Sequence, residues 1–165
     1  GAAVQGAVLT DEIKGVVFSI MLGTNDSAIE GTNGCPVAPE RYYENMKTII
    51  NRLLALYPNC RIVVHRPLWY SPNTYNGAKY LEEGLRRLQD YYPQIQRLVD
   101  YYASHFPGQV FLGDTKGFDY FKENHLTDFQ AEKGNSGVFY LHPNEKGAVR
   151  LGELWSEAIR QALGL

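Results

Sequence analysis

Asn25 and His142 are the side chains in this sequence whose types and settings best suit them to do chemistry together. Asn25 lies in Gly23-Thr24-Asn25-Asp26, directly after the apolar run Val16-Val17-Phe18-Ser19-Ile20-Met21-Leu22. An amide held rigidly on a tight Gly turn can donate N–H to an oxygen that gains negative charge during acyl transfer. His142 lies in Leu141-His142-Pro143-Asn144-Glu145-Lys146-Gly147. An imidazole there can take a proton from a hydroxyl and return it to a leaving alcohol. Each residue also has a plainer assignment. Asn25 could only satisfy the backbone of its turn, and His142 could only cap the helix that follows. Gly23 is assigned to the turn itself. Asp26 is expected to fix the turn by hydrogen bonds rather than to react.

The other candidates are weaker. Ser27 and Ser71 carry hydroxyls, but neither sits on the strand-to-helix turn that exposes and activates a nucleophilic Ser. Asp114, Asp119 and Asp128 are the acids that could partner His142, with Asp128 nearest in sequence. His65 ends an apolar run and reads as a core histidine, and His105 and His125 read as surface or helix-end residues. Trp69, Tyr70 and Tyr75 share one loop and could stack on a sugar or an acyl chain; ordinary packing is the alternative. No His and carboxylate pair has zinc-like spacing, so no catalytic metal is expected. There is no Gly-rich phosphate loop, which argues against nucleotide binding, and no cofactor is expected.

These residues need elements to position them. Residues 16–22 read as a strand buried on both faces, as in a parallel sheet. Residues 27–38 are a loop broken by Gly31, Asn33, Gly34 and Pro36. Pro39 opens a helix, whose apolar face is Tyr42, Met46, Ile49, Ile50, Leu53 and Tyr57. Residues 61–65 form a second strand and 109–113 a third. Between them, residues 78–104 are helical, with a break or kink expected at Pro93. Residues 114–137 read as a long polar loop with short helical turns. From Asn144 a closing helix carries the stripe Ala148, Leu151, Leu154, Trp155, Ala158, Ile159 and Ala162. Thr10-Asp11-Glu12-Ile13 suggests a short turn before the first strand. Alternating strands and helices imply a parallel sheet with right-handed crossovers. In such sheets the site lies beyond the carboxyl ends of the strands, where the Gly23 turn and the loops after His65 and Gly113 emerge.

Composition narrows the function classes. The 165 residues suffice for one domain with a core. The net charge of −2 gives no electrostatic case for nucleic acid or an anionic membrane. No apolar run approaches the roughly 20 residues that span a bilayer. Cys35 and Cys60 fall at opposite ends of the expected sheet, so no disulfide is expected between them. Residues 1–8 show neither an initiator Met nor a signal pattern. They could be a tag scar, a processed end or the middle of a larger protein.

The Asn block, together with His142, Pro143, Asn144 and Gly147 at a C-terminal helix, resembles the SGNH (GDSL-like) hydrolase superfamily. The resemblance covers about residue 15 to the end. It implies a three-layer α/β/α fold with a flavodoxin-like parallel sheet, here without its first strands. It implies a single hydrolase domain that is incomplete at its N-terminus. It also implies a Ser-His esterase with an acyl-enzyme intermediate, and a small ester or an acetylated carbohydrate as substrate. The family's nucleophile belongs to a Gly-Asp-Ser block, and nothing before Gly23 reads so. The Ser is therefore expected from outside this chain, which alone should be inactive. The family's Gly block is not convincingly matched; Gly6 is poorly supported. The family's Asp three residues before the catalytic His is replaced by Phe139. In the family's sheet the first strand lies beside the third, so residues 16–22 are expected to need a partner along their edge. The missing N-terminal segment, a second copy or a rearranged N-terminus could supply it. A non-catalytic carbohydrate-binding relative with a decayed triad, and a piece that self-associates through its open strand, are the competing readings.

Overall fold

A computed structural model describes residues 15–165. The expected turn at Thr10–Ile13 and the candidate Gly6 lie outside the described residues. The element order is β1 (Val17–Ile20), α1 (Thr24–Ser27), α2 (Pro39–Leu56), β2 (Arg61–Val64), α3 (Leu81–His105), β3 (Val110–Leu112), α4 (Gly117–Asp128), β4 (Glu132–Gly134), β5 (Gly137–Phe139) and α5 (Glu145–Leu163).

Three strands form a parallel sheet in the order β1-β2-β3. This is the mixed α/β architecture expected from the sequence. Side chains alternate across the sheet. Ile62 and Val64 join the core with α2 and α3. His65 lies on the other face, where its ring stacks on Trp155 of α5 at 4.3 Å. The α3 residues Gly84, Leu88, Tyr91, Ile95, Leu98 and Tyr102 recur at three- and four-residue steps and are all buried.

Several expectations need correction. Strand β1 is not buried on both faces: Val17 is 44% exposed, and Phe18 and Ile20 are only half-buried. The reason is its place in the sheet, since among the described residues β1 pairs only with β2. Helix α3 runs unbroken through Pro93. Pro93 and Gln89, whose carbonyl loses its donor, both lie on the exposed side of the helix. On α5 only Gly147 and Leu154 are fully buried, and Ala148 is exposed.

The segment expected as a loop at 114–137 holds a 12-residue helix and an antiparallel hairpin. The Asp114 carboxylate caps α4 by accepting N–H bonds from Lys116 and Gly117 at 3.0 and 2.9 Å. Phe118 and Phe121 anchor the helix in the core. The hairpin turns at Asn135-Ser136 between Gly134 and Gly137, with Gly137 at φ 90°.

His65 is fully buried. Its Nδ1 accepts the Asp114 N–H at 2.8 Å, so its Nε2 carries the proton shared with Ser19 Oγ, also at 2.8 Å. Burial lowers its pKa from 6.5 to about 4, although the Asp114 charge pulls the other way. Above 6.5 both folded and unfolded chains hold a neutral ring, and this contribution to stability is complete. As pH falls from 6.5 toward 4, the unfolded chain takes up a proton that the folded chain refuses. Denaturant titrations across that window should show stability falling, and His65→Gln should flatten the fall. An unchanged slope in the variant would assign the loss to other groups.

Candidate active site

The turn at Gly23 rests on an aromatic floor. Tyr42 and Tyr91 stack at 4.2 Å. Tyr42 donates its hydroxyl to the Leu22 carbonyl at 3.0 Å, Tyr91 to Val37 at 2.7 Å, and Tyr92 to Pro67 at 2.7 Å. Gly23 has φ 127°, and a Cβ there would press on Pro67, Tyr42 and Tyr91, each at 3.2 Å. Only glycine suits both the backbone and the space. Asp26 fixes the turn through its backbone carbonyl, which accepts from Val37 N at 2.9 Å. Its carboxyl was expected to make the fixing bonds, yet it has no hydrogen-bond partner among the described residues. Burial pushes the pKa of that carboxyl up.

Asn25 is oriented by a residue that sequence reasoning missed. Tyr80, 3% exposed, donates its hydroxyl to Asn25 Oδ1 at 2.9 Å. The carbonyl end is thereby occupied, and the amide N–H₂ has no partner among the described residues. Thr32 Oγ1 holds the Asn25 backbone oxygen at 2.7 Å. Leu81, next to Tyr80, has φ 54°, a left-handed backbone that costs a non-glycine residue on the order of 1–2 kcal/mol.

His142 is placed by the start of α5. Asn144 caps that helix, its Oδ1 accepting from Gly147 N at 2.9 Å, while its Nδ2 donates to the Thr127 and Phe129 carbonyls. A Cβ at Gly147 would collide with the Asp128 carbonyl, so α5 can approach α4 this closely only at a glycine. Gln130 N donates to the His142 carbonyl at 2.9 Å. The ring itself meets Glu132: Nδ1 lies 2.9 and 3.0 Å from the two carboxylate oxygens. Nε2 has no partner among the described residues.

The three acids considered from sequence are engaged elsewhere. Asp114 caps α4, and Asp119 is exposed on that helix. Asp128 is fully buried, with Lys146 Nζ at 2.8 Å and with Tyr120 and Thr127 as donors. Burial alone would raise its pKa, but these bonds outweigh burial and hold it at about 2. It ties α4 to α5 and does not touch His142.

Asn25 and His142 line one open cavity of about 940 Å³ at the carboxyl end of the sheet. Gly23, Thr24, Asp26, Asn45, Thr48, Ile49, Trp69, Asn76 and Tyr80 also contribute to its walls. Ile49, expected on the buried stripe of α2, instead faces this space and is 38% exposed. Trp69 reaches the cavity, although it is packed against Phe129 and His125. Tyr70 does not; it is fully buried, and its hydroxyl bonds Ser27 Oγ at 2.8 Å. Tyr75 lies in the same loop but not on the cavity wall. Its carbonyl accepts from Asn135 N in the hairpin at 2.7 Å. Ser27 and Ser71 are buried and hydrogen-bonded, so neither is a stand-in nucleophile. No group of three metal-binding side chains occurs among the described residues.

In open parallel α/β sheets the ligand site lies beyond the carboxyl ends of the strands, where this cavity is found. The family model described as "GDSL-like Lipase/Acylhydrolase family" matches residues 3–150, and the chain belongs to that family. At the family level it is a hydrolase acting on esters. No curated protein and no solved structure gives a significant match to the chain. No helix among the described residues is long and apolar enough to cross a membrane.

Proposed function

We propose that this chain carries the oxyanion donor and the general base of a serine ester hydrolase. Asn25 is the donor and His142 the base; the Ser comes from polypeptide outside these 165 residues. The observation that carries the reading is that Asn25 and His142 line the same cavity, while the Asn25 amide N–H₂ and His142 Nε2 have no partners among the described residues. Two facts support an external Ser. No serine is among the cavity-lining residues, and residues 1–14 contain none.

The reaction runs in two halves. The Ser hydroxyl attacks the ester carbonyl as His142 Nε2 takes its proton. The oxyanion of the tetrahedral intermediate accepts hydrogen bonds from Asn25. Collapse expels the alcohol, which recovers the proton from His142, and leaves an acyl-serine. Water, deprotonated by the same nitrogen, then attacks the acyl carbon, and collapse releases the acid and restores the serine. The preferred substrate class is a small ester, with an O-acetylated carbohydrate favoured. Trp69, though 6% exposed, borders the cavity, and Asn45, Thr48 and Asn76 offer hydroxyl-matching polar groups in it.

The experiment compares p-nitrophenyl acetate hydrolysis by the protein with its natural upstream sequence and by the 165-residue chain alone. Turnover is expected only in the first, with block by a serine-reactive fluorophosphonate. Turnover by the chain alone, or an upstream sequence without a Gly-Asp-Ser block, overturns the external serine. Absence of hydrolysis from both overturns the hydrolase reading in favour of a binding module.

A further inference from the structure

We propose that Glu132 is the acid that orients His142, delivered by the β4–β5 hairpin from ten residues upstream. The proposal rests on His142 being the base, and it assigns a partner that neither the family match nor the sequence names. Position 139, where the family's Asp would stand, holds a Phe whose ring is 1% exposed and packed in the core. No carboxylate can reach His142 from there. Glu132 takes up the task with two contacts. Its carboxylate meets His142 Nδ1 at 2.9 and 3.0 Å, and it accepts the His142 backbone N–H at 3.3 Å. The second contact fixes the carboxylate relative to the chain that carries the ring. With Nδ1–H donated to Glu132, the lone pair falls on Nε2, which has no partner among the described residues, on a side chain that lines the cavity.

The hairpin is built to hold that carboxylate still. Glu132 pairs with Phe139 across the hairpin, so the buried ring anchors the strand position that presents the acid. Asn73 Nδ2 donates to the carbonyls of Ser136 and Val138 at 3.1 and 2.7 Å. Ser71 and Tyr140 share two bonds, Ser71 N donating to the Tyr140 carbonyl at 2.9 Å and Tyr140 N to the Ser71 side-chain Oγ at 2.8 Å. A Cβ at Gly134 would strike the Tyr75 carbonyl, so the hairpin lies directly on the 71–76 loop. That loop supplies Asn76 to the cavity wall. The acid, the base and one cavity wall are therefore fastened to one another. Glu132 is only partly exposed, its side chain at 25%, so its charge is less screened than a surface pair's.

The test has a readout that needs no activity. Long-range ¹H–¹⁵N spectra of the imidazoles in the 165-residue chain report which nitrogen of His142 carries the proton when the ring is neutral. The Nδ1–H tautomer is expected in the wild type, retained in Glu132→Gln and lost to Nε2–H in Glu132→Ala. A wild-type Nε2–H tautomer, or an Ala variant with the tautomer unchanged, overturns the proposal. In the protein bearing its nucleophile, Glu132→Ala should lower kcat by about 10²–10⁴-fold with KM nearly unchanged. Glu132→Asp should recover part of that loss, whereas a merely structural side chain would give a fall in thermal stability with no kcat-specific effect. If the tautomer behaves as expected but no ester is turned over, the hydrolase reading fails and the Glu132 assignment stands.

Discussion

His142→Ala is expected to remove essentially all ester hydrolysis, a fall on the order of 10⁴-fold or more in kcat, with little change in KM. The reason is structural economy at the cavity. His142 is the one histidine on its wall. His65 is buried on the α5 face of the sheet and spends both nitrogens on Ser19 and Asp114. His125 packs against Trp69 and Tyr140, with Nδ1 engaged by the Lys122 carbonyl. No second imidazole can inherit the proton transfer. The variant should also fold normally. The side chain is 58% exposed, and the bonds that fix this stretch come from backbone atoms and from Asn144. Circular dichroism and thermal unfolding of the variant should therefore match the wild type. Loss of activity with an intact fold would isolate the imidazole as the cause. A loss smaller than about tenfold would take His142 out of the proton-transfer step.

The residues that act were largely legible in the sequence, and the residues that hold them were not. Gly23 and the run before it announced a strand and a tight turn because only glycine tolerates φ 127° over the aromatic floor. The closing helix reads from Asn144 onward, and the structure shows Asn144 itself capping it by accepting from Gly147 N. Such signals are local. Glu132 had none. Its link to His142 depends on a hairpin folding back onto the 71–76 loop, and the sequence reading weighs only aspartates as partners, although Glu132 lies closer to His142 in sequence than Asp128 does. The Asn-Ser turn between Gly134 and Gly137 was the one available clue to that hairpin. Tyr80 was hidden in a different way. It meets Asn25 across 55 residues from the position just before α3, whereas the sequence reading places it inside a helix starting at residue 78. The aromatic loop also misled. Trp69, Tyr70 and Tyr75 are neighbours in sequence, but only Trp69 reaches the cavity, because consecutive residues of an irregular loop share no face. Strand β1 was misread because a run of apolar residues shows that a strand belongs in a sheet, not whether both its edges are covered.

Asn25→Ala is the second large effect: kcat should fall by about 10²–10³-fold, again with KM nearly constant. A donor that binds only the developing oxyanion stabilises the transition state without holding the ground state, so the loss belongs to kcat. Asn25→Asp should be at least as damaging. It nearly preserves shape but replaces the N–H₂ donor with an acceptor oxygen and adds a negative charge. Tyr80 decides whether the amide points correctly. Its hydroxyl occupies Oδ1, so the N–H₂ end is the one left free. Tyr80→Phe keeps the ring but lets the amide rotate, and should cost less than Asn25→Ala. The double variant Asn25→Ala/Tyr80→Phe should be no slower than Asn25→Ala alone, because the hydroxyl works only through that amide. Additive losses in the double variant would mean that Tyr80 contacts substrate itself. That outcome would turn Tyr80 from a positioning residue into a second oxyanion or alcohol donor on the cavity wall.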